Sequence, residues 1–150
     1  MKTAEMLTLK GRLIIELNGV VVRDIDNLVT TAGKGLVAAR LASAGSTVVT
    51  HMALGTGTTA ALVADTTMET EVTRQAIDVS GGTVSTNTIT YTRTFAADDP
   101  DVTAPATTAV TEAGLFNHAS AGTMLAHTVF AVVNKGESDT MTISWVVTIS

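Results

Sequence analysis

Three histidines, His51, His118 and His127, are the side chains of this sequence best suited to metal binding or proton transfer. None stands at metal-ligand spacing from another histidine or a carboxylate, and the absence of cysteine excludes Cys-ligated zinc and thiol catalysis. His51 and His127 fall inside predicted strands, which favours half-buried, hydrogen-bonded side chains. His118 falls in a predicted turn, where we expect it to be solvated. The histidines therefore predict no metal site.

Acidic residues offer two further arrangements. Asp98, Asp99 and Asp101 group hard oxygen ligands suited to calcium, but their segment lacks the glycine and the distal glutamate of an EF-hand loop. We therefore expect an acidic surface loop there. Glu69 and Glu71 are two residues apart, so on a strand they would share a face and repel each other, which places them at a solvated edge.

Glu112 stands at the start of a predicted strand, and its environment stays open at this stage. One interpretation is a buried carboxylate that accepts hydrogen bonds from backbone amides. The other is an exposed residue of a turn. A catalytic carboxylate pair would need a second acid converging on it in a cleft, and an aromatic content of 3% argues against platforms for stacking sugars.

The segment Gly55 to Ala60 matches the G-x-G-x-x-A pattern of dinucleotide-binding loops and follows a predicted strand. A nucleotide site would require a helix and a parallel strand next, whereas the following residues are threonine-rich and lead into antiparallel-looking strands. No P-loop lysine follows, and no G-x-S-x-G nucleophile elbow occurs. We predict a glycine-threonine loop, no cofactor and no catalytic residues, and hence a protein that is not an enzyme.

Composition narrows the function classes further. The chain has 150 residues, 45% hydrophobic content and a formal net charge of −5, which predicts one folded domain. The basic residues are scattered, so nucleic-acid binding is not expected. No apolar run approaches the roughly 20 residues of a membrane span, and the N-terminus lacks the apolar core of a signal peptide.

Alternating apolar and polar residues predict a mainly β fold. The predicted strands are Leu7 to Leu17, Val20 to Arg23, Thr47 to Leu54, Glu71 to Val79, Val84 to Phe95, Val110 to Phe116, Met124 to Val133 and Met141 to Ile149. We expect an antiparallel sandwich or jelly-roll-like domain with one short α-helix. The domain covers residues 1–150, with residues 1–8 as an extended N-terminal arm.

Turn-forming and helix-capping residues predict the positions of the helix and of the hairpin turns. Asn18-Gly19 predicts a hairpin turn between the first two strands. Asn27 or Thr30 is the predicted cap of a helix that runs to Leu41, and Gly45 is predicted to end it. Asn134 to Ser138 is predicted to form a polar hairpin loop before the last strand.

The last predicted strand places Met141, Ile143, Trp145, Val147 and Ile149 on one face. The sequence leaves open whether this strand pairs within the chain or with a neighbouring subunit. The predicted structural core consists of Trp145, Ile143, Val147, Phe130 and Phe116. Arg93 shares its strand face with Tyr91 and Phe95, which indicates that this end of the strand reaches solvent or a partner.

Several segments share a pattern with small structural proteins of tailed bacteriophages. They are Asn27 to Lys34, Met52 to Thr59, Asp65 to Val72, Val110 to Asn117, Gly122 to Ala126 and Thr142 to Ile149. From about Leu7 onward the chain therefore resembles this class of virion proteins. The resemblance implies a structural role without catalytic residues, and it does not specify head or tail.

Within that class, the absence of repeats favours a compact capsid decoration (cement) protein on the exterior of the virion, assembled in the cytoplasm of the bacterial host. Its expected partners are the major capsid protein or other virion subunits, and further copies of itself, with a trimer as the expected oligomer. Candidate interface residues are Met1, Lys2, Thr3, Asp98, Asp99 and Asp101. The alternatives are a tail, baseplate or tail-fibre-base subunit, and a carbohydrate-binding β module for host attachment.

Overall fold

The structure, a computed structural model, describes residues 4–43, 45–100 and 107–150. In these ranges the chain forms nine strands and one helix, so the predicted mainly β fold with one short helix is confirmed. The elements are β1 (Leu9–Leu17), β2 (Val20–Val29), α1 (Thr31–Leu41), β3 (His51–Gly55), β4 (Glu71–Ala76), β5 (Thr83–Ser85), β6 (Thr88–Phe95), β7 (Thr107–Phe116), β8 (Met124–Gly136) and β9 (Met141–Ile149).

All nine strands belong to one curled antiparallel sheet in the order β4-β3-β7-β8-β2-β1-β9-β6-β5. The sheet curls so that its β4 end approaches its β5–β6 end. The contact is seen in the Asp78 amide, which follows β4 and donates to the Thr92 carbonyl of β6 at 2.9 Å. The sheet therefore forms two layers that remain connected through β2 and β8. The last strand, β9, pairs with β1 and β6 of its own chain.

The main core lies between these layers. Trp145 of β9 is opposite Leu13 of β1 and Tyr91 of β6, and all three side chains are buried. The Trp145 indole nitrogen donates to Asn27 Oδ1 at 2.8 Å, which satisfies its one polar atom. Of the five residues predicted for the core, Trp145, Ile143, Val147 and Phe130 belong to this cluster. Phe116 is buried in a smaller cluster described below.

The helix begins later than its earliest predicted start. Asn27, Leu28 and Val29 belong to β2, where Leu28 and Val29 pair with β8, so a cap at Asn27 was wrong. Thr30 is the N-cap, and its Oγ1 accepts the Gly33 amide at 2.9 Å. The helix ends at Leu41, the last residue predicted for it, but its C-cap is Ala42, so the terminating role assigned to Gly45 was wrong.

Strand pairing also corrects several predicted boundaries. The predicted strand Val84 to Phe95 is a hairpin of β5 and β6, because Thr86 adopts φ 54° and reverses the chain. β3 starts at His51, not Thr47, and β4 ends at Ala76, not Val79, where the chain crosses toward β6. β8 extends to Gly136, into the predicted loop, because it pairs with the full length of β7.

Candidate functional site

Glu112, His127 and Asp65 form a polar cluster at the irregular segment between β3 and β4. We call this segment, residues 56–70, the β3–β4 loop. Within β7, Ala113 and Leu115 point into the main core. Strand alternation turns Glu112 and Phe116 to the opposite face, and the β3–β4 loop covers that face. Met68 of the loop packs there with Phe116, Ala53 and Met124 in a second, smaller apolar cluster.

Glu112 is completely buried at the centre of this covered face. Its carboxylate accepts the amides of Gly57 at 3.2 Å, Glu69 at 2.6 Å and Thr70 at 3.2 Å. The buried-carboxylate interpretation is therefore the correct one of the two considered above. Three backbone donors compensate for the removal of this charge from water.

The glycines of the Gly55 to Ala60 segment allow this close approach. A Cβ atom on Gly57 would lie 2.6 Å from Glu112 Oε1, which is closer than real Cβ contacts allow. A Cβ atom on Gly55 would also collide with that oxygen. The G-x-G pattern therefore serves a protein carboxylate in this fold, in the manner by which such loops otherwise approach a phosphate.

His127 of β8 joins Glu112 to the middle of the loop. Its Nε2 lies 2.8 Å from Glu112 Oε2, and its Nδ1 lies 2.7 Å from Asp65 Oδ2. His127 lies in a strand as predicted, but its side chain is buried more deeply than the expected half-buried position. Hydrogen bonds at both ring nitrogens require two protons, supplied either by a doubly protonated ring or by a neutral ring and a protonated carboxyl group.

Asp65 fixes the turn that reaches His127. Its Oδ2 accepts the Leu62 amide at 2.7 Å, and its own amide donates to the Leu62 carbonyl at 3.0 Å. Partial burial acts to raise the pKa of Asp65. The hydrogen bonds from the Leu62 amide and from His127 lower the pKa, and their combined effect is larger than that of burial. The pKa consequently lies below its ordinary value of 3.8, so Asp65 is ionised at neutral pH.

The Glu112–His127–Asp65 cluster is built to hold the β3–β4 loop onto the sheet. Both ring nitrogens of His127 contact carboxylates, and the oxygens of Glu112 face backbone amides. Among the described residues, no group of three or more His, Asp or Glu side chains is arranged to hold a metal ion. The geometry supports an anchoring role for all three side chains.

The other two histidines have local partners. His51 bonds Thr50 Oγ1 at 2.7 Å, and its pKa is lowered by burial and then by the nearby Arg74 charge. His118 is exposed in the turn after β7, where its Nδ1 contacts the Ser120 carbonyl. These positions agree with the strand and turn environments inferred from the sequence.

Glu69 and Glu71 are both exposed beside β4, an outer strand of the sheet, as the expected solvated edge requires, but they do not share a strand face because β4 begins at Glu71. Glu69 precedes β4 and accepts the amide and hydroxyl of Thr59, which hold the pKa of Glu69 below its usual value. Glu71 forms an ion pair with Arg74 at 2.6 Å. The Arg74 guanidinium in turn stacks 3.6 Å above the Phe116 ring, at the border of the smaller apolar cluster.

The predicted acidic loop lies next to a buried lysine. Asp98 is exposed, while Asp99 accepts the Thr73 hydroxyl at 2.8 Å. The Lys135 ammonium donates to the Ala96 carbonyl at 2.8 Å. Burial lowers the pKa of Lys135, although Asp99 and two further aspartates oppose this shift. The remaining predicted interface residues, Met1, Lys2, Thr3 and Asp101, lie outside the described residues.

Besides a pocket lined by the β3–β4 loop and His127, two further concave surfaces lie beside the sheet. β2 and β8 pair only at Leu28 and Val29 and then diverge, and Arg23 bridges the opening by donating to the carbonyls of Ala131 at 2.9 Å and Val132 at 2.6 Å. A cleft of about 420 Å³ lies beside this opening. On another side, an apolar pocket of about 200 Å³ lies between α1 and the sheet.

Comparison with known proteins adds no relative, since no protein-family model, curated protein or solved structure matches the chain. In the described residues, the one helix is too short to cross a membrane.

Sequence reasoning missed Asp65 altogether and gave His127 no partner. The partnership depends on the register of β7 against β8 and on the path of the β3–β4 loop, which no local pattern encodes.

Proposed function

We propose that this protein is a non-enzymatic structural component of a tailed-phage virion, and most specifically a capsid decoration protein that binds and stabilises the shell from outside. The resemblance of its sequence segments to phage structural proteins supports the class. The structure adds a physical argument for an assembly role, because the buried charged residues anchor a loop and the surface offers strand edges to a partner.

The opening between β2 and β8 is the observation on which this proposal depends most. Among the described residues, β2 and β8 pair with each other only at Leu28 and Val29. Where the two strands have separated, Arg23 of β2 donates to the Ala131 and Val132 carbonyls of β8. Unpaired strand edges are templates for an added strand from another chain. Val21 of β2 and Val132 of β8, exposed at 54% and 45%, supply apolar contact area on these same strands.

A decoration protein needs only modest affinity at each contact. Many identical subunits on a shell, and several contacts per oligomer, multiply weak strand-edge interactions into stable attachment. A homo-oligomer of this chain is part of the proposal for that reason. Many equivalent contacts of this kind would resist internal pressure by linking neighbouring capsid subunits.

Binding to phage shells that lack the protein tests the proposal. Purified protein should sediment with such shells, and Val132→Lys should weaken the binding, since it places a charge beside the opening between β2 and β8. Val79→Lys is the matched control, because Val79 is exposed at 53% and lies between β4 and β5, outside any strand. Equal losses in both variants would refute the role of the β2–β8 opening. Absence of wild-type binding would refute the decoration role.

A further inference from the structure

We propose that the turn carrying Leu62 and Val63 in one copy inserts into the apolar pocket beside α1 of a second copy. The Leu62 turn comprises residues 62–65 of the β3–β4 loop. The α1 pocket is the apolar pocket of about 200 Å³ introduced above. The contact joins two different surfaces of the same chain, and it concerns self-association whether or not the oligomer binds a phage shell.

The Leu62 turn is a rigid, exposed apolar projection. Leu62 is 60% exposed and Val63 is 49% exposed. Reciprocal hydrogen bonds between Leu62 and Asp65 close the turn. The Val63 carbonyl accepts the Thr31 amide at 2.7 Å, and Asp65 contacts His127. Because the turn is fixed before binding, little conformational entropy is lost when a partner covers it.

The α1 pocket offers a matching cavity. Its walls include Leu36 and Val37 of α1, Val49, Tyr91 and Leu125. Burial raises the pKa of Tyr91 to about 12, as expected for a hydroxyl in apolar surroundings. A cavity of about 150 Å³ lined by apolar side chains accommodates benzene, so a cavity of this size admits a leucine side chain.

Charges around the two surfaces are complementary. The ionised Asp65 carboxylate closes the Leu62 turn through Oδ2, which also contacts His127, and its side chain remains 25% exposed at the surface. Arg40 lies at the edge of the α1 pocket, where one guanidinium nitrogen donates to the Ser46 carbonyl at 2.8 Å. The remaining donors of the guanidinium are suited to a carboxylate from another copy. This pairing favours a second copy of the chain over an uncharged small apolar molecule as the occupant.

The position of the two surfaces determines the symmetry of the contact. The Leu62 turn is attached to the first residue of α1 through Thr31, while Leu36, Val37 and Arg40 of the pocket lie further along the helix. Turn and pocket are therefore separate surfaces, and the contact is heterologous. Head-to-tail contacts close into a ring when the rotation between copies permits, which includes a trimer.

A mixing experiment with purified protein tests the inference. Wild type should form oligomers in sedimentation equilibrium at micromolar concentration. Leu62→Asp removes the projection and Val37→Trp fills the pocket, so each variant alone should self-associate at least about tenfold more weakly. Mixed together they should form a one-to-one heterodimer, because one intact turn and one intact pocket remain.

Controls separate this contact from misfolding. Val84→Asp changes an exposed valine on β5 and should leave the wild-type mass unchanged. Circular dichroism verifies that each variant is folded. If Val37→Trp does not fold, Arg40→Glu replaces it, since Arg40 is exposed and the new charge repels Asp65. A monomeric wild type, oligomers of unchanged mass in the single variants, or a mixture that stays monomeric would each overturn the inference. None of these results depends on shell binding.

Discussion

The two sides of β7 are stabilised by different kinds of contact. On the inner side, Leu115 lies in the main core, to which β9 contributes Trp145, and apolar contacts hold the two layers of the sheet together. On the outer side, Glu112 holds the β3–β4 loop through hydrogen bonds to three backbone amides. The inner contact is nondirectional and tolerates small shifts. The outer contact requires specific donors at specific distances.

The difference shows what each side contributes to the protein. Apolar burial stabilises the whole sheet, because it grows with the area removed from water. The polar cluster gives one irregular segment a single conformation and presents Leu62 and Val63 at the surface. Substitutions on the inner side should therefore unfold the protein globally, whereas those on the outer side should release the loop while much of the sheet remains.

The largest effect is expected for Trp145→Ala. This side chain is fully buried in the main core, so its truncation should lower the free energy of unfolding by at least about 4 kcal/mol and leave little folded protein. Urea unfolding monitored by far-UV circular dichroism measures the loss, because this signal does not depend on the fluorescence of the removed tryptophan. A decrease below about 1 kcal/mol would contradict the central position of this residue in the core.

A smaller and more local effect is expected for Glu112→Gln. The amide side chain keeps the volume but loses one acceptor oxygen, which should cost about 2–3 kcal/mol through unsatisfied buried donors. Hydrogen exchange should accelerate at the amides of Gly57, Glu69 and Thr70, while the β1–β9 amides stay protected. Glu137→Gln, an exposed glutamate, is the control. Uniform acceleration throughout the sheet would show that the two sides of β7 are not separable.

The pH dependence of the loop should follow Asp65. Because the folded-state pKa of Asp65 is lowered, its contribution to stability is present above its ordinary value of 3.8 and is lost as pH falls below that value. Asp65→Asn should therefore be less stable than wild type at pH 7, and the difference should shrink toward pH 2. Unfolding measured across this range tests the sign. Asp26→Asn, at an exposed position of β2, is the control, and a difference that grows in acid would contradict the account.

The smallest effect is expected for Thr142→Lys. This threonine lies on the face of β9 opposite Trp145, and its hydroxyl bonds Thr94 at 2.9 Å. Loss of one exposed hydrogen bond should change the free energy of unfolding by less than about 1 kcal/mol. Thermal unfolding measures the change. Loss of the folded state would show that the outer face of β9 is more constrained than its exposure indicates.

The strand pattern was sufficient to predict the inner side. The alternation around Trp145 follows directly from the period of a strand, so β9 and its buried face were predictable. Asn18-Gly19 likewise forms the expected turn, with φ 51° and 81°. The end of β2 was not predictable, because Leu28 and Val29 suit a helix or a strand equally, and pairing with β8 decides between them.

The outer side depends on contacts between residues far apart in the chain. His127 and Asp65 are 62 residues apart, and Glu112 meets Gly57 across 55 residues. No spacing rule connects such residues, so His127 was expected to be half-buried and hydrogen-bonded, but its partners were not identified. The glycine-threonine loop was predicted from its sequence context, but the role of its glycines became clear only from the position of Glu112.

Imaging of the intact particle by cryo-electron microscopy tests the proposed capsid role most directly. Density for this β domain is expected on the outer surface of the head, in a copy number comparable with that of the major capsid protein. Its β2–β8 opening should face a neighbouring subunit. Density for only a few copies at the tail, or none on the shell, would contradict the assignment as a decoration protein.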